Sequence, residues 1–251
     1  MLISRLKDKR YGSCYMATLD HFGSVDATNK ETLKNIGCSL ERGYRYLTSL
    51  NAVNLNDLCK YLNFWMDEQK STYVKGNSGI TEQEWHTVEN LWNSLNNIQY
   101  FKHKCERQQE KKDISEYRKH INLMTYCINR DYFKKLYLST SSYMNLKLKM
   151  CESFSDYTRE YYNKLIEGIG CIDNRNDVNV FKYEIAEDCT LYNIPKTFPK
   201  CDEKTQTIVD DDNYKKDTIR CESTAKIRDS HPGLDNGNVV LSPVSDTSTG
   251  H

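Results

Sequence analysis

The sequence predicts an all-α fold, a disulfide-stapled array of several helices that ends in a disordered C-terminal tail. Apolar residues recur at steps of three and four through most of the first 190 residues, which is the spacing of one helix face. No proline precedes Pro195, so nothing in this region breaks a helix. Ten cysteines are spread along the whole chain, and an even, scattered set of this kind is typical of disulfide-bonded proteins.

Two apolar stripes predict the first two long helices. Gly43 is a weak position inside the first, and Asn54 is a plausible N-cap of the second, with Asp57 in its first turn. The first stripe consists of Leu33, Ile36, Leu40, Tyr44 and Leu47, and the second of Leu55, Leu58, Cys59, Leu62, Trp65 and Met66.

The third helix has the clearest start signal in the chain. Thr81 and Glu84 have the spacing of a capping box, and Ile80 can pack on Trp85 as a hydrophobic staple. The glycine-containing segment from Tyr73 to Gly79 is therefore predicted to be a loop. The stripe continues through Val88, Trp92 and Leu95.

Two further helices follow. Asp113 and Glu116 open the fourth, and Gly168 marks the end of the fifth. Val178 to Tyr183 is the one modest strand candidate. The fourth stripe consists of Ile114, Tyr117, Ile121, Met124 and Ile128, and the fifth of Cys151, Phe154, Tyr157, Tyr161 and Leu165.

The chain divides into a cysteine-rich helical domain over residues 1–200 and a polar stalk or tail over 201–251. Few large apolar residues remain after Cys201, and the run from Ser230 to His251 is rich in Gly, Pro, Ser, Thr and Asp. Within the helical domain, the mixed-sign segment from Lys102 to Lys112 is predicted to be an exposed helix.

The cysteines indicate an oxidising compartment, because no C-x-x-C pair is present to form a zinc knuckle. We expect at least three disulfides, mostly within residues 14–190, that join helices distant in sequence. The alternative is a cytosolic protein with buried free thiols. The N-terminus has no apolar leader, and no apolar stretch is long enough to span a membrane. We therefore expect either export by an unusual route or a sequence that is an excerpt of a longer protein. The disulfide candidates are Cys14, Cys38, Cys59, Cys105, Cys127, Cys151, Cys171, Cys189, Cys201 and Cys221.

Several function classes find no support. Lys plus Arg and Asp plus Glu both number 35, so no net positive charge attracts nucleic acid. The histidines form no H-E-x-x-H pattern, and His103 beside Cys105 is read as a surface residue next to a disulfide. Gly168-x-Gly170 is too short to hold a phosphate. We therefore expect no enzyme activity, cofactor, metal or small-molecule substrate.

One string carries a resemblance to a known family. The sequence from Leu58 to Met66 resembles the C-x-Y-L-N-Y-W-L signature of the Plasmodium interspersed repeat (PIR) proteins of malaria parasites, called Vir in the vivax lineage. Similarity of pattern extends over residues 14 to 190, through Gly79 to Trp92 and the run from Cys127 to Cys171. The matching residues are Cys59, Tyr61, Leu62, Asn63, Phe64 and Trp65, with Phe64 in place of the usual tyrosine and Met66 in place of leucine.

The resemblance implies a helical variant surface antigen that is exported and displayed on the infected cell or the parasite membrane. Its ectodomain would bind a host surface protein, modulate immunity or diversify. The alternative is an exported structural scaffold that is not displayed. Members of the family typically continue into a transmembrane helix and a basic tail. This sequence ends at His251 without them, although its run from Ser230 resembles the segment that precedes that helix, so truncation and a member that lacks the anchor would both fit.

A host contact is expected on variable segments and not on the apolar stripes. The polar segments are Asp67 to Gly79, Asn96 to Asp113 and Asp173 to Asn179, and exposed aromatics such as Tyr73 and Tyr100 would provide the contact area. Trp65 shares a stripe with Leu58 and Leu62, so we expect it in the core.

Overall fold

The all-α prediction is confirmed by a computed structural model, in which 66% of the described residues are helical and 6% are in strands. The structure describes residues 2, 6, 14–50, 55–76, 78–109, 112–140, 144–169, 171–172 and 176–216. Cys221, Asn54 and the predicted tail beyond residue 216 lie outside the described residues.

The N-terminal half is a group of helices around one core. Its helices are α1 (Met16–Asp20), α2 (Ala27–Thr48), α3 (Leu55–Tyr73) and α4 (Glu82–Asn96). The predicted capping box is present, because Thr81 caps α4 and Glu84 bonds back to the Thr81 backbone. The predicted stripes face inward, and the buried set includes Leu33, Leu40, Tyr44, Leu47, Leu62, Trp65, Met66, Trp85, Val88 and Trp92.

Gly43 lies in the middle of α2 for a packing reason. A Cβ at this position would come within 2.6 Å of the Leu6 Cδ2 atom and 3.3 Å of the Leu62 Cδ1 atom. The glycine therefore lets two leucine side chains close on the helix axis, which offsets its low helix propensity.

The C-terminal half is built on a long helix pair, α5 (Ile114–Ser139) and α6 (Met144–Ile166). Two short antiparallel hairpins pack beside it, with strands β1 (Glu184–Ala186), β2 (Cys189–Thr190), β3 (Lys200–Asp202) and β4 (Thr207–Val209). The remaining elements are α7 (Asp177–Tyr183), α8 (Ile194–Thr197) and a 3-10 helix (Asp212–Lys216).

The strand prediction for Val178 to Tyr183 is wrong, because these residues lie in α7. The Asn176 side chain caps this helix by accepting a hydrogen bond from the Asn179 backbone N–H at 2.8 Å, and the strand begins only at Glu184. The described structure also continues past the boundary predicted at residue 201. Cys201 is buried in β3 within a cluster that includes Tyr137 and Phe154.

The two halves meet where α3 contacts α5. Phe64 projects from α3 onto Tyr117 of α5, with ring centroids 5.1 Å apart in an edge-to-face arrangement. Ile121 and Met124 complete this small cluster. In consequence, α3 presents one face to the N-terminal core and another to the C-terminal half.

Arg130 holds α5 to the elements that follow α7. Its side chain is fully buried, and it donates to the Thr197 carbonyl oxygen at 3.1 Å and to the Asp188 carboxylate at 3.2 Å. It also donates to the Asp188 carbonyl oxygen and to the Asp131 carboxylate. A buried guanidinium is stable here because its N–H groups find acceptors.

The prediction of at least three disulfides is confirmed by four pairs, and Cys171 is disulfide-bonded as well. The expectation that they join two helices is wrong, because each of the four pairs ties a helix to a non-helical segment. Each bond thereby fastens a short strand or an irregular segment to a long helix. The pairs are Cys14–Cys38, Cys59–Cys105, Cys127–Cys189 and Cys151–Cys201.

Removing the Cys127–Cys189 disulfide by a double alanine substitution is expected to lower the free energy of unfolding by about 2–4 kcal/mol. The bond closes a span of 62 residues, so its loss frees a large loop in the unfolded chain. Urea unfolding of the oxidised protein measures the effect. An unchanged midpoint would show that packing alone holds β2 on α5.

Candidate interaction surface

The residues of the Leu58–Met66 string that match the family signature lie on α3 and make contacts within the fold. Leu62, Trp65 and Met66 are buried in the N-terminal core, whereas Phe64 contacts α5. Tyr61 packs between the two clusters, and burial raises the pKa of its phenol to about 12. Since these side chains face inward, none of the five provides exposed contact area.

Asn63 fixes the segment that follows α4, residues 101–109, which we call the strap. Its Nδ2 atom donates to the Cys59 carbonyl oxygen at 3.1 Å and to the Glu106 carbonyl oxygen at 3.0 Å. Its Oδ1 atom accepts from the Gln108 backbone N–H at 2.7 Å and from Arg107 at 3.0 Å. This buried amide therefore has all of its hydrogen-bonding capacity used.

Arg107 of the strap lies in a largely buried ion-pair network. Its guanidinium pairs with Asp67 of α3 and with Glu89 of α4, the latter at 3.0 Å, and it lies 5.7 Å from the Trp92 ring centroid. Burial by itself would lower the pKa of Arg107, but hydrogen bonds and charge from Glu89 and Asp67 outweigh it, so its pKa is raised. The network connects α3, α4 and the strap.

The prediction of an exposed helix over Lys102 to Lys112 is wrong for the described strap, which is irregular. Cys105 is buried and joined to Cys59, and its backbone N–H donates to the Tyr44 hydroxyl at 3.1 Å. Its carbonyl oxygen accepts from the Trp92 indole N–H at 2.9 Å. These long-range hydrogen bonds replace the intrahelical ones that a helix would form. Because Cys105 is disulfide-bonded, it provides no thiolate ligand for a metal beside His103.

The two tyrosines that were predicted to contact a host protein differ in their exposure to solvent. Tyr100 is 72% exposed, whereas Tyr73 ends α3 half-buried against the N-terminal core. Residues 67–73 are likewise helix and not loop, and Asn179 is buried in α7. Of the two named tyrosines, only Tyr100 presents its ring to solvent.

Tyr15, Arg45 and Tyr100 come together from distant parts of the sequence, and Met16 follows Tyr15 in the chain. We call these four residues the Arg45 surface; three of them are exposed, and the Arg45 side chain is 26% exposed. The Arg45 guanidinium carbon lies 4.1 Å from the Tyr15 ring centroid, and its Nη1 atom donates to the Tyr100 hydroxyl at 3.2 Å. Tyr15 is 58% exposed and Met16 74%. Residues 45 and 100 are far apart in sequence, so helix periodicity gave no signal of this contact.

The Arg45 surface is held from below by buried groups. The Arg45 Nε atom donates to Glu41 at 2.8 Å, and the other Glu41 carboxylate oxygen accepts from the Thr18 hydroxyl at 2.6 Å. Tyr15 adjoins the Cys14–Cys38 disulfide, which fastens the start of α1 to α2. The Arg45 guanidinium is therefore held in place by buried groups of α1 and α2.

Two open clefts of about 380 and 490 Å³ lie along α3. The first cleft lies between α2 and α3 and is lined in part by Arg42 and Gln69. The Arg42 Nε atom has no hydrogen-bond partner in the described part of the chain.

Within the described ranges, no three His, Cys, Asp or Glu residues converge as a metal site would require.

None of the helices in the described part of the chain combines the length and the apolarity that crossing a bilayer requires. No protein-family model, curated protein or solved structure matches this chain.

Proposed function

We propose that this chain is the helical ectodomain of a malaria-parasite variant surface antigen of the PIR type, and that it binds a host surface protein through the Arg45 surface. The Arg45 surface is the observation that carries the binding proposal. Tyrosine and arginine are the residue types most enriched at energetic hot spots of protein interfaces. Exposed methionine adds a flexible apolar contact that adapts to a partner.

The disulfides support display in an oxidising environment, because bonds of this kind persist outside the cytosol. The family-like string supports the assignment in a different way. Its cysteine, its asparagine and its aromatic residues hold the strap and the helix junction, which a family would need to retain while exposed positions vary. The string therefore fits a role in holding the fold together, and the Arg45 surface fits a role in binding that can vary.

Tyr100→Ala and Met16→Ala are each expected to weaken binding to a host ectodomain at least tenfold, as the loss of a hot-spot side chain does. Both side chains are more than 70% exposed, so the free energy of unfolding should change by no more than about 0.5 kcal/mol. The oxidised domain is screened by surface plasmon resonance against a panel of recombinant host surface ectodomains, and the two variants are measured on each binder.

Tyr132→Ala provides a matched control, because Tyr132 is 63% exposed on α5, outside the Arg45 surface. A binder that tolerates both Tyr100→Ala and Met16→Ala but is lost with Tyr132→Ala would contradict the assigned surface. Antibodies to the domain that stain infected cells only after permeabilisation would instead favour the undisplayed scaffold.

A further inference from the structure

Exposed apolar side chains concentrate at one end of the α5–α6 helix pair. Of the nine large hydrophobic residues exposed in the described part of the chain, five lie there, including all four exposed leucines. We call this group the α5–α6 tip; it consists of Tyr132, Leu136, Leu138, Leu146 and Leu148 together with Lys135 and Lys149. Leu138 is 77% exposed, the largest value among the nine.

The α5–α6 tip is net positive in a chain that is neutral overall. Residues 132–151 contain four lysines and no aspartate or glutamate, and the run is flanked by Asp131, which pairs with Arg130, and by the exposed Glu152. Lys135 and Lys149 are exposed between the leucines. The other two lysines are engaged, since Lys134 is half-buried with its pKa lowered by burial, and the Lys147 ammonium lies 5.5 Å from the Tyr137 ring centroid.

The inner side of the α5–α6 tip is fixed, so its outer side chains cannot fold inward. Tyr137 is buried and donates a hydrogen bond to the Gln206 carbonyl oxygen at 2.8 Å, which holds the β3–β4 hairpin against α5. The Cys151–Cys201 disulfide ties α6 to the same hairpin. In the turn of this hairpin, the Asp202 carboxylate accepts from the Lys204 and Thr205 backbone N–H groups, and the neighbouring Glu203 is exposed.

We propose that the α5–α6 tip docks on the surface of an anionic lipid bilayer. The leucines enter the boundary between headgroups and acyl chains, and Lys135 and Lys149 pair with lipid phosphates and carboxylates. Leucines interleaved with lysines are the composition of helices that bind membrane interfaces. Basic side chains at such a surface are drawn to negatively charged lipid.

The same charges disfavour a second copy of the chain as the occupant. A two-fold contact would place this net positive patch against itself, so lysines would face lysines, with Asp131 already paired to Arg130 and Glu152 at the edge of the patch. A bilayer of anionic lipid has the opposite charge and a soft apolar layer beneath it. Charge complementarity therefore favours an anionic lipid surface over a second copy of the chain as the occupant.

The test is sedimentation of the full oxidised chain with vesicles of phosphatidylcholine alone or of phosphatidylcholine with 30% phosphatidylserine. We expect binding to the phosphatidylserine vesicles that falls as salt is raised. Leu138→Asn with Leu146→Asn should abolish sedimentation. Lys135→Gln with Lys149→Gln should weaken it about thirtyfold. Lys102→Gln with Lys104→Gln removes the same charge from the exposed strap and should leave it unchanged.

All replaced side chains are exposed, so equal melting temperatures will show that the variants fold alike. Three results would overturn the proposal. These are no sedimentation with either vesicle, sedimentation that the leucine variant retains, or a concentration-dependent dimer in ultracentrifugation that the leucine variant loses while vesicles bind nothing.

Discussion

Arg107→Met is expected to lower the free energy of unfolding by about 3–5 kcal/mol, the usual cost of removing one partner from a buried ion pair. Methionine keeps most of the aliphatic volume, so the loss is mainly electrostatic. The carboxylates of Asp67 and Glu89, whose side chains are 15% and 12% exposed, would remain without their cation. Asn63 would also lose one of its hydrogen bonds.

Urea unfolding followed by circular dichroism measures this effect. Arg118→Met is the matched control, because Arg118 pairs with Glu68 at 2.9 Å but is 51% exposed. A solvated pair of this kind contributes less than about 1 kcal/mol. Equal losses for the two variants would show that burial of the Arg107 network adds no stability. A second variant, Arg107→Met with Asp67→Asn and Glu89→Gln, should regain part of the loss because no unpaired charge remains.

Trp65→Ala is expected to destabilise the fold by about 3–5 kcal/mol through the cavity that it leaves in the N-terminal core. Trp65 is 6% exposed and belongs to the cluster that also contains Trp85 and Trp92. Thermal unfolding should show a lower midpoint, and Trp65→Phe should recover part of it because the ring fills some of the space.

Binding separates the core role of Trp65 from a contact role. Trp65→Ala at a temperature where it is folded should bind a host ectodomain as the parent does, whereas Tyr100→Ala should not. If Trp65→Ala melted like the parent yet failed to bind, Trp65 would belong to the binding surface and the core assignment would be wrong.

The helices and their ends could be predicted because their causes are local. Thr81 caps α4 through Glu84, three residues away, and Gly168 takes a positive φ of 77° after α6. The apolar stripes depend on a period of 3.6 residues and need no knowledge of distant partners. The failure at α7 has a local cause as well. Asn176 caps this helix, but its seven residues are too few to show a clear helical period.

The strap could not be predicted in the same way. Its composition is that of a solvated helix, and its actual conformation depends on Asn63 and Cys59, more than 40 residues earlier in the chain. One signal was present, because Asn63 interrupts a buried apolar run and a buried amide requires partners. The sequence indicates that such partners exist but not where they lie.

By itself, then, the sequence determined the helical class, the main helix starts and stops, the inward stripes and the disulfide-bonded state. Only the tertiary structure decided which cysteines pair, that Arg107 is buried while Tyr100 is exposed, and that Tyr15 meets Arg45. It also placed five exposed apolar residues beside two exposed lysines at one end of α5 and α6. The reason is that caps and periodicity act over about four residues, whereas burial and charge pairing depend on which distant segments the folded chain brings together.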